Sequence, residues 1–181
     1  YDFNHESSYT TAFFKDVLSY WIDEYKIDGF RFDFTKGFSN TQWTGSNNWA
    51  SAYDASRIAI LKDYADFVWS QDPTDKPYVI FEHLAENSEE KELANYGILL
   101  WGNINHNYAQ NTMGFSSGSD ISWISYQERD WNQPNLVGYM ESHDEERLMY
   151  KNLNFGNSSG DYNVQNLNTA LTREELAGMF F

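Results

Sequence analysis

The sequence predicts an α/β protein, with a mainly parallel sheet whose strands are joined by helical crossovers. Segments with the period of an amphipathic helix alternate with short segments of strand character. Charged side chains also collect at the C-terminal ends of three of the four strands. Composition supports a packed core: 41% of the 181 residues are hydrophobic, and 7 Trp, 13 Tyr and 13 Phe carry more ring surface than a disordered acidic chain holds.

Phe13, Phe14, Val17, Leu18, Trp21, Ile22 and Tyr25 recur on one helix face, which predicts a helix over about 9–25, broken by Asp28-Gly29. Phe30 to Phe34 alternates rings with Arg31 and Asp33, the period of a strand with one aromatic and one charged face. A polar loop, Lys36 to Asn48, follows. Ile58, Leu61, Ala65 and Val68 mark a second helix between Trp49 and Trp69, closed by Asp72-Pro73. Tyr78 to Phe81 reads as a short strand with Glu82 at its end. A helix near Ser88 to Asn95 precedes the strand-like Gly97 to Trp101, and a short helix near Ile121 to Glu128 precedes Leu136 to Met140. Ser142 and Glu145 have capping-box spacing, as do Thr172 and Glu175 ahead of Leu176, Met179 and Phe180, so each marks an expected helix start. Asn154 to Asn168, rich in Asn, Ser and Gly, reads as a surface loop.

This alternation fits either an open doubly wound sheet or part of a (β/α)8 barrel. The charges favour the barrel: Arg31 and Asp33, then Glu82, then His143 and Asp144 all follow strands, where a barrel carries its catalytic rim. No glycine-rich phosphate turn follows any strand, which removes the main mark of a nucleotide-binding open sheet. We therefore expect a TIM barrel in part, as a single domain over residues 1–181. The apolar Met179, Phe180 and Phe181, with no polar stop behind them, lead us to expect a piece of a longer protein.

Twelve Lys and Arg stand against 27 Asp and Glu, a formal charge of −15 that repels phosphate backbones and anionic lipid. Nucleic acid and membrane surfaces are thus excluded as expected partners. Without cysteine, any catalysis uses oxygen or nitrogen groups. His5, His83 and His106 lack the paired helical spacing of a metal site, and hydrogen-bonded structural roles are expected of them. Trp43, Trp49, Trp101, Tyr108, Trp123 and Trp131 lie in or near segments that follow strands, where rings stack on sugars or fill a core with equal ease.

DGFRFDFTKG at 28–37, YVIFEH at 78–83 and YMESHDEE at 139–146 resemble, in order, three conserved regions of the alpha-amylase family of retaining glycoside hydrolases. The resemblance covers nearly the whole chain, from the fourth strand of that family's barrel to the helix after the seventh. It implies Asp33 as nucleophile, Glu82 as general acid and then base, and Asp144 as the carboxylate that holds sugar hydroxyls and stabilises the transition state. It also implies a hydrogen bond from His143 to the bound sugar and substrate contacts from Arg31 and Lys36. The chemistry needs one ionised and one protonated carboxyl, about 5–5.5 Å apart. Arg31, on the strand face of Asp33, is expected to keep it ionised, while repulsion from the other carboxylates holds a proton on Glu82. Taken alone, Arg31-x-Asp33 reads first as a structural ion pair, and only inside the longer motif does the catalytic reading take precedence. Lys36-Gly37 and Ser142 depart from the family's Lys-His and Asn-His-Asp patterns. No cofactor is required for the chemistry, and these residues do not support a structural calcium. The expected substrate is an α-linked, starch-like glucan and the expected reaction hydrolysis. The alternatives are a branching enzyme or other transglycosylase with the same trio, and a non-catalytic barrel that binds sugar or protein.

Overall fold

The structure is a computed structural model that describes residues 3–47 and 49–180. Asn48, at the end of the expected polar loop, and Phe181, in the terminal apolar set, lie outside the described residues. The elements are α1 (Ser8–Tyr25), β1 (Gly29–Phe32), α2 (Ala55–Gln71), β2 (Tyr78–Phe81), α3 (Asn87–Tyr96), β3 (Leu99–Asn103), α4 (Asn105–Met113), β4 (Leu136–Tyr139), α5 (Leu148–Phe155) and α6 (Leu167–Gly178). Short 3-10 turns lie at Thr35–Gly37, Gly45–Asn47 and Ser122–Ile124. The strands form one sheet in the order β1-β2-β3-β4, and β1 with β2 and β2 with β3 pair in parallel. The protein is thus α/β with a parallel sheet. Its residues group into two compact units, Tyr1–Trp101 with Arg129–Leu136, and Gly102–Glu128 with Val137–Phe181.

In the first unit, Lys26 adopts a left-handed conformation and donates its N–H to Ile22 O, which ends α1. Asp54 starts α2 by accepting from the N–H groups of Ser56 and Arg57. Gly97, at φ 119, closes α3 by donating to Ala94 O and Leu93 O, a backbone angle that a side chain disfavours. Leu61, Tyr64, Ala65 and Val68 of α2 are buried with Val79, Phe81, Leu93 and Leu100. The α1 stripe is wider than its cover: Leu18 and Ile22 are buried, while Phe13, Val17, Trp21 and Tyr25 stay exposed.

The second unit gathers Ile104, Tyr108, Ala109, Met113, Leu148 and Ala177, from α4, α5, α6 and the residue before α4, into one core.

Several expectations are corrected. The first strand ends at Phe32 rather than Phe34, because Phe34 sits at φ 46, outside the strand region, and is exposed. The second helix starts at Ala55, where Asp54 supplies its cap, and the third strand runs from Leu99 to Asn103. Ile121 to Glu128 forms only the Ser122–Ile124 turn. Ser142 N–H donates to Glu145 Oε2 at 2.8 Å, so the box contact forms without its helix; α5 begins at Leu148, whose N–H donates to Glu141 Oε2 at 2.7 Å. The last helix begins at Leu167, capped by Asn166, and Thr172 lies inside it, donating its hydroxyl to Asn168 O. The Asn154 to Asn168 loop is accordingly shorter, since α5 reaches Phe155. Helix α4 was not expected, because its Asn and Gln hide the buried stripe of Tyr108, Ala109, Thr112 and Met113.

Candidate active site

The register of β1 on β2 pairs Gly29 with Tyr78 and Phe32 with Phe81, so the next residues, Asp33 and Glu82, leave the same end of two adjacent strands. The last ladder contacts run from Glu82 N–H to Phe32 O and from Thr35 N–H to Glu82 O, both 3.0 Å. Parallel pairing turns two distant sequence positions into neighbours at a C-terminal sheet edge, where α/β folds carry their chemistry.

Arg31 joins the two carboxylates. Its Nη1 donates to Asp33 Oδ1 at 2.6 Å and its Nη2 to Glu82 Oε2 at 2.9 Å. The guanidinium lies over the Trp101 ring, 4.1 Å from the centroid, and its buried Nε has no hydrogen-bond partner among the described residues. The Phe34 N–H also donates to Glu82 Oε2, at 3.1 Å. The Asp33 side chain is 74% exposed and that of Glu82 13%, so one carboxylate meets solvent and the other is shielded.

Lys36 follows on the Thr35–Gly37 turn, 5.6 Å from the Phe34 ring centroid. Burial and then the Arg57 charge push its pKa down, against the opposing pull of Glu82 and Glu90.

Behind the pair lies a buried polar chain. His83 Nδ1 contacts Thr35 Oγ1 at 2.9 Å and its Nε2 contacts Glu89 Oε1 at 2.8 Å. Arg57 holds both Glu89 oxygens, through Nε at 2.7 Å and Nη2 at 2.8 Å. Burial pushes the His83 imidazole down toward the neutral form. Burial also opposes ionisation of Glu89, but hydrogen bonds from His83 and Arg57 hold its carboxyl below the usual range.

His143 and Asp144 belong to the second unit, in the exposed bend after β4. His143 Nε2 lies 3.4 Å from Asp144 Oδ1, and the Asp144 N–H donates to Ser142 Oγ at 3.3 Å. Glu145 accepts from Asn103 Nδ2 at 2.8 Å, and Arg147 donates to the Ser142 carbonyl.

Of the other aromatic and histidine positions, Tyr108 and Trp131 are core residues, whereas Trp49 and Trp123 are exposed. His5 is buried, stacked on Phe38 and bonded through Nδ1 to the Tyr64 hydroxyl at 3.0 Å. Thr35, Arg57 and Glu89 were not expected near the site. Arg57 did leave a signal, since it shares the buried helix stripe with Leu61, Tyr64 and Val68. Glu89 left none, because an acid in a helix's first turn reads as a surface residue favoured by the helix dipole.

A cavity of about 860 Å3 lies at the opposite end of β1 and β2, around Lys26 to Asp28 and Asp72 to Tyr78. A groove of about 650 Å3 between α1 and β1 reaches Arg31 and Asp33. Among the described residues there is no group of three or more His, Cys, Asp or Glu that could hold a metal ion, and no helix is long and apolar enough to cross a membrane. No protein-family model matches the chain, and no curated protein matches it.

Proposed function

We propose that this chain carries the catalytic carboxylates of a retaining glycoside hydrolase acting on α-glucosidic bonds of starch-like glucans, on part of a (β/α)8 barrel. The observation that carries the reading is the in-register exit of Asp33 and Glu82 from adjacent parallel strands, bridged by Arg31. The sequential order β1-β2-β3-β4 supports the barrel, because a doubly wound open sheet reverses its strand order at a switch point.

In this reading the ionised Asp33 attacks the anomeric carbon while the bond to the leaving oxygen breaks, and Glu82 gives that oxygen its proton. Glu82 then takes a proton from water, which attacks the same carbon and releases Asp33, so the product keeps the α configuration. Glu82 Oε2 is engaged by the N–H groups of Arg31 and Phe34, which leaves Oε1 to carry the transferable proton. Asp33, the more open carboxylate, takes the nucleophile's part. The resemblance adds Asp144 as transition-state stabiliser, and His143 and Lys36 as contacts to the sugar.

A fluorosugar α-glucosyl donor with a good leaving group tests this. The expected result is a mass gain of one glycosyl unit on the peptide that contains Asp33, absent in Asp33→Asn, with turnover of soluble starch lost in that variant. Labelling elsewhere, or wild-type turnover by Asp33→Asn, overturns the assignment.

A further inference from the structure

We infer that Thr35, His83, Glu89 and Arg57 form a positioning relay that sets the Glu82 carboxyl for proton transfer; the inference rests on the hydrolase reading above. Thr35 fastens the Glu82 main chain through its N–H, which donates to Glu82 O at 3.0 Å; its hydroxyl lies 3.2 Å from the same oxygen, with its single hydrogen left for His83. The same hydroxyl meets His83 Nδ1, and His83 Nε2 meets Glu89. An ionised Glu89 only accepts, so Nε2 carries a hydrogen, and a neutral ring leaves Nδ1 to accept from Thr35. Arg57 completes the chain: its Nη1 donates to the carbonyls of Lys36 and Ala50, both at 2.8 Å, and its Nη2 to Ala52 O at 3.0 Å. The relay thereby ties the turn after β1, the segment before α2 and the end of β2 into one piece.

Two features set this apart from a packed core. All four side chains have 0 or 1% exposure, where apolar residues of similar volume would stabilise at least as well as ions. A fully connected buried network instead favours one arrangement of its members. Phe34, immediately before Thr35, is held at φ 46, a strained angle for a residue with a side chain, and its N–H is the group that donates to Glu82 Oε2. The relay grips the residue next to the strained one, so it keeps that N–H aimed at the carboxyl. Thr35, His83, Glu89 and Arg57 act only through Glu82 and are positioning residues.

The test compares Thr35→Val, which keeps the shape and deletes the hydroxyl, with Thr35→Ser, which restores it, in the full chain. In Thr35→Val, kcat on an unactivated maltooligosaccharide should fall about tenfold or more, because small displacements of a positioned group carry losses of this order. On an aryl α-glucoside with a good leaving group, which needs little protonation, kcat should stay within about twofold. KM should hold for both substrates, and Thr35→Ser should recover the maltooligosaccharide rate. Fluorosugar labelling of Asp33 in Thr35→Val checks that the variant is folded; if it is not, Glu89→Gln is read by the same substrate ratio. Equal losses on both substrates, or a lowered melting temperature with both rates kept, overturn the relay. Wild-type turnover by Asp33→Asn overturns the hydrolase reading itself, whereas an inactive Asp33→Asn beside an unchanged substrate ratio in Thr35→Val overturns the relay alone.

Discussion

Arg31 directs one guanidinium nitrogen to each of two carboxylates and rests its plane on Trp101, contacts that the compact ammonium of a lysine cannot reproduce. Its pairing with Asp33 was legible from the spacing alone, since residues two apart share a strand face. Its pairing with Glu82 was not, because 51 residues separate them and only the register of β1 on β2 joins them. The N–H donors around Glu82 converge on Oε2, which leaves Oε1 as the oxygen whose part in the proposed acid step is to be tested. Glu82→Gln should retain activity within about tenfold on substrates with good leaving groups, yet lose about a hundredfold or more on unactivated glucan, the range of general acid catalysis. Rates measured on a series of aryl glycosides check this, and equal losses along the series would remove Glu82 from the acid role.

The helices show which local signals survive packing. Asp54 begins α2 through two backbone N–H bonds and also receives the hydroxyls of Ser39 and Ser56. Burial works against its ionisation, but these bonds win and hold the carboxyl far below its ordinary value of 3.8. Its contribution is therefore complete above about pH 3.8 and is lost as the pH falls further below that value. Asp54→Ala should cost about 1–2 kcal/mol at pH 7, read from urea melts, with the gap to wild type narrowing in strong acid. Gly29 marks a close approach of two strands. A Cβ there would stand 2.7 Å from both Tyr78 N and Tyr78 Cβ, so Gly29→Ala should destabilise by about 1–3 kcal/mol, measured as a lowered thermal midpoint. The Ser142 and Thr172 boxes lacked such support: their spacing is a local preference, and each helix started where another residue satisfied its free N–H groups.

Across the whole molecule, two buried groups give stability opposite slopes in pH. Burial, offset only in part by Arg129 and the Ala85 N–H, pushes Glu90 up to about 7. The native state then keeps a proton that the unfolded chain, with its ordinary value of 4.5, has released, so this contribution declines as pH rises from 4.5 toward 7. His83 runs the other way: the native ring stays neutral where the unfolded chain takes up a proton near 6.5, so stability falls as pH drops through that value. The advantage of wild type over Glu90→Gln should shrink by at most about 3 kcal/mol between pH 4.5 and 7, followed by paired chemical melts. A widening gap over that range would show that the Arg129 ion pair, at 3.1 Å, outweighs burial.

The sequence by itself determined the alternation of helix and strand as far as β3, the ends of β2, and the residues that carry the amylase-like resemblance. These are legible because hydrophobic period, helix breakers and short motifs act over a few residues. The tertiary structure decided which of those residues meet. Strand register set Asp33 beside Glu82, left Phe34 outside β1 in a left-handed conformation, and aligned Thr35 with Glu82 O. The ends of α2 and α3 then closed Arg57 and Glu89 into one buried pair 32 residues apart in sequence. Such pairs depend on burial, which makes an unpartnered charge costly and so selects partners across any sequence distance, a selection to which local periodicity is blind.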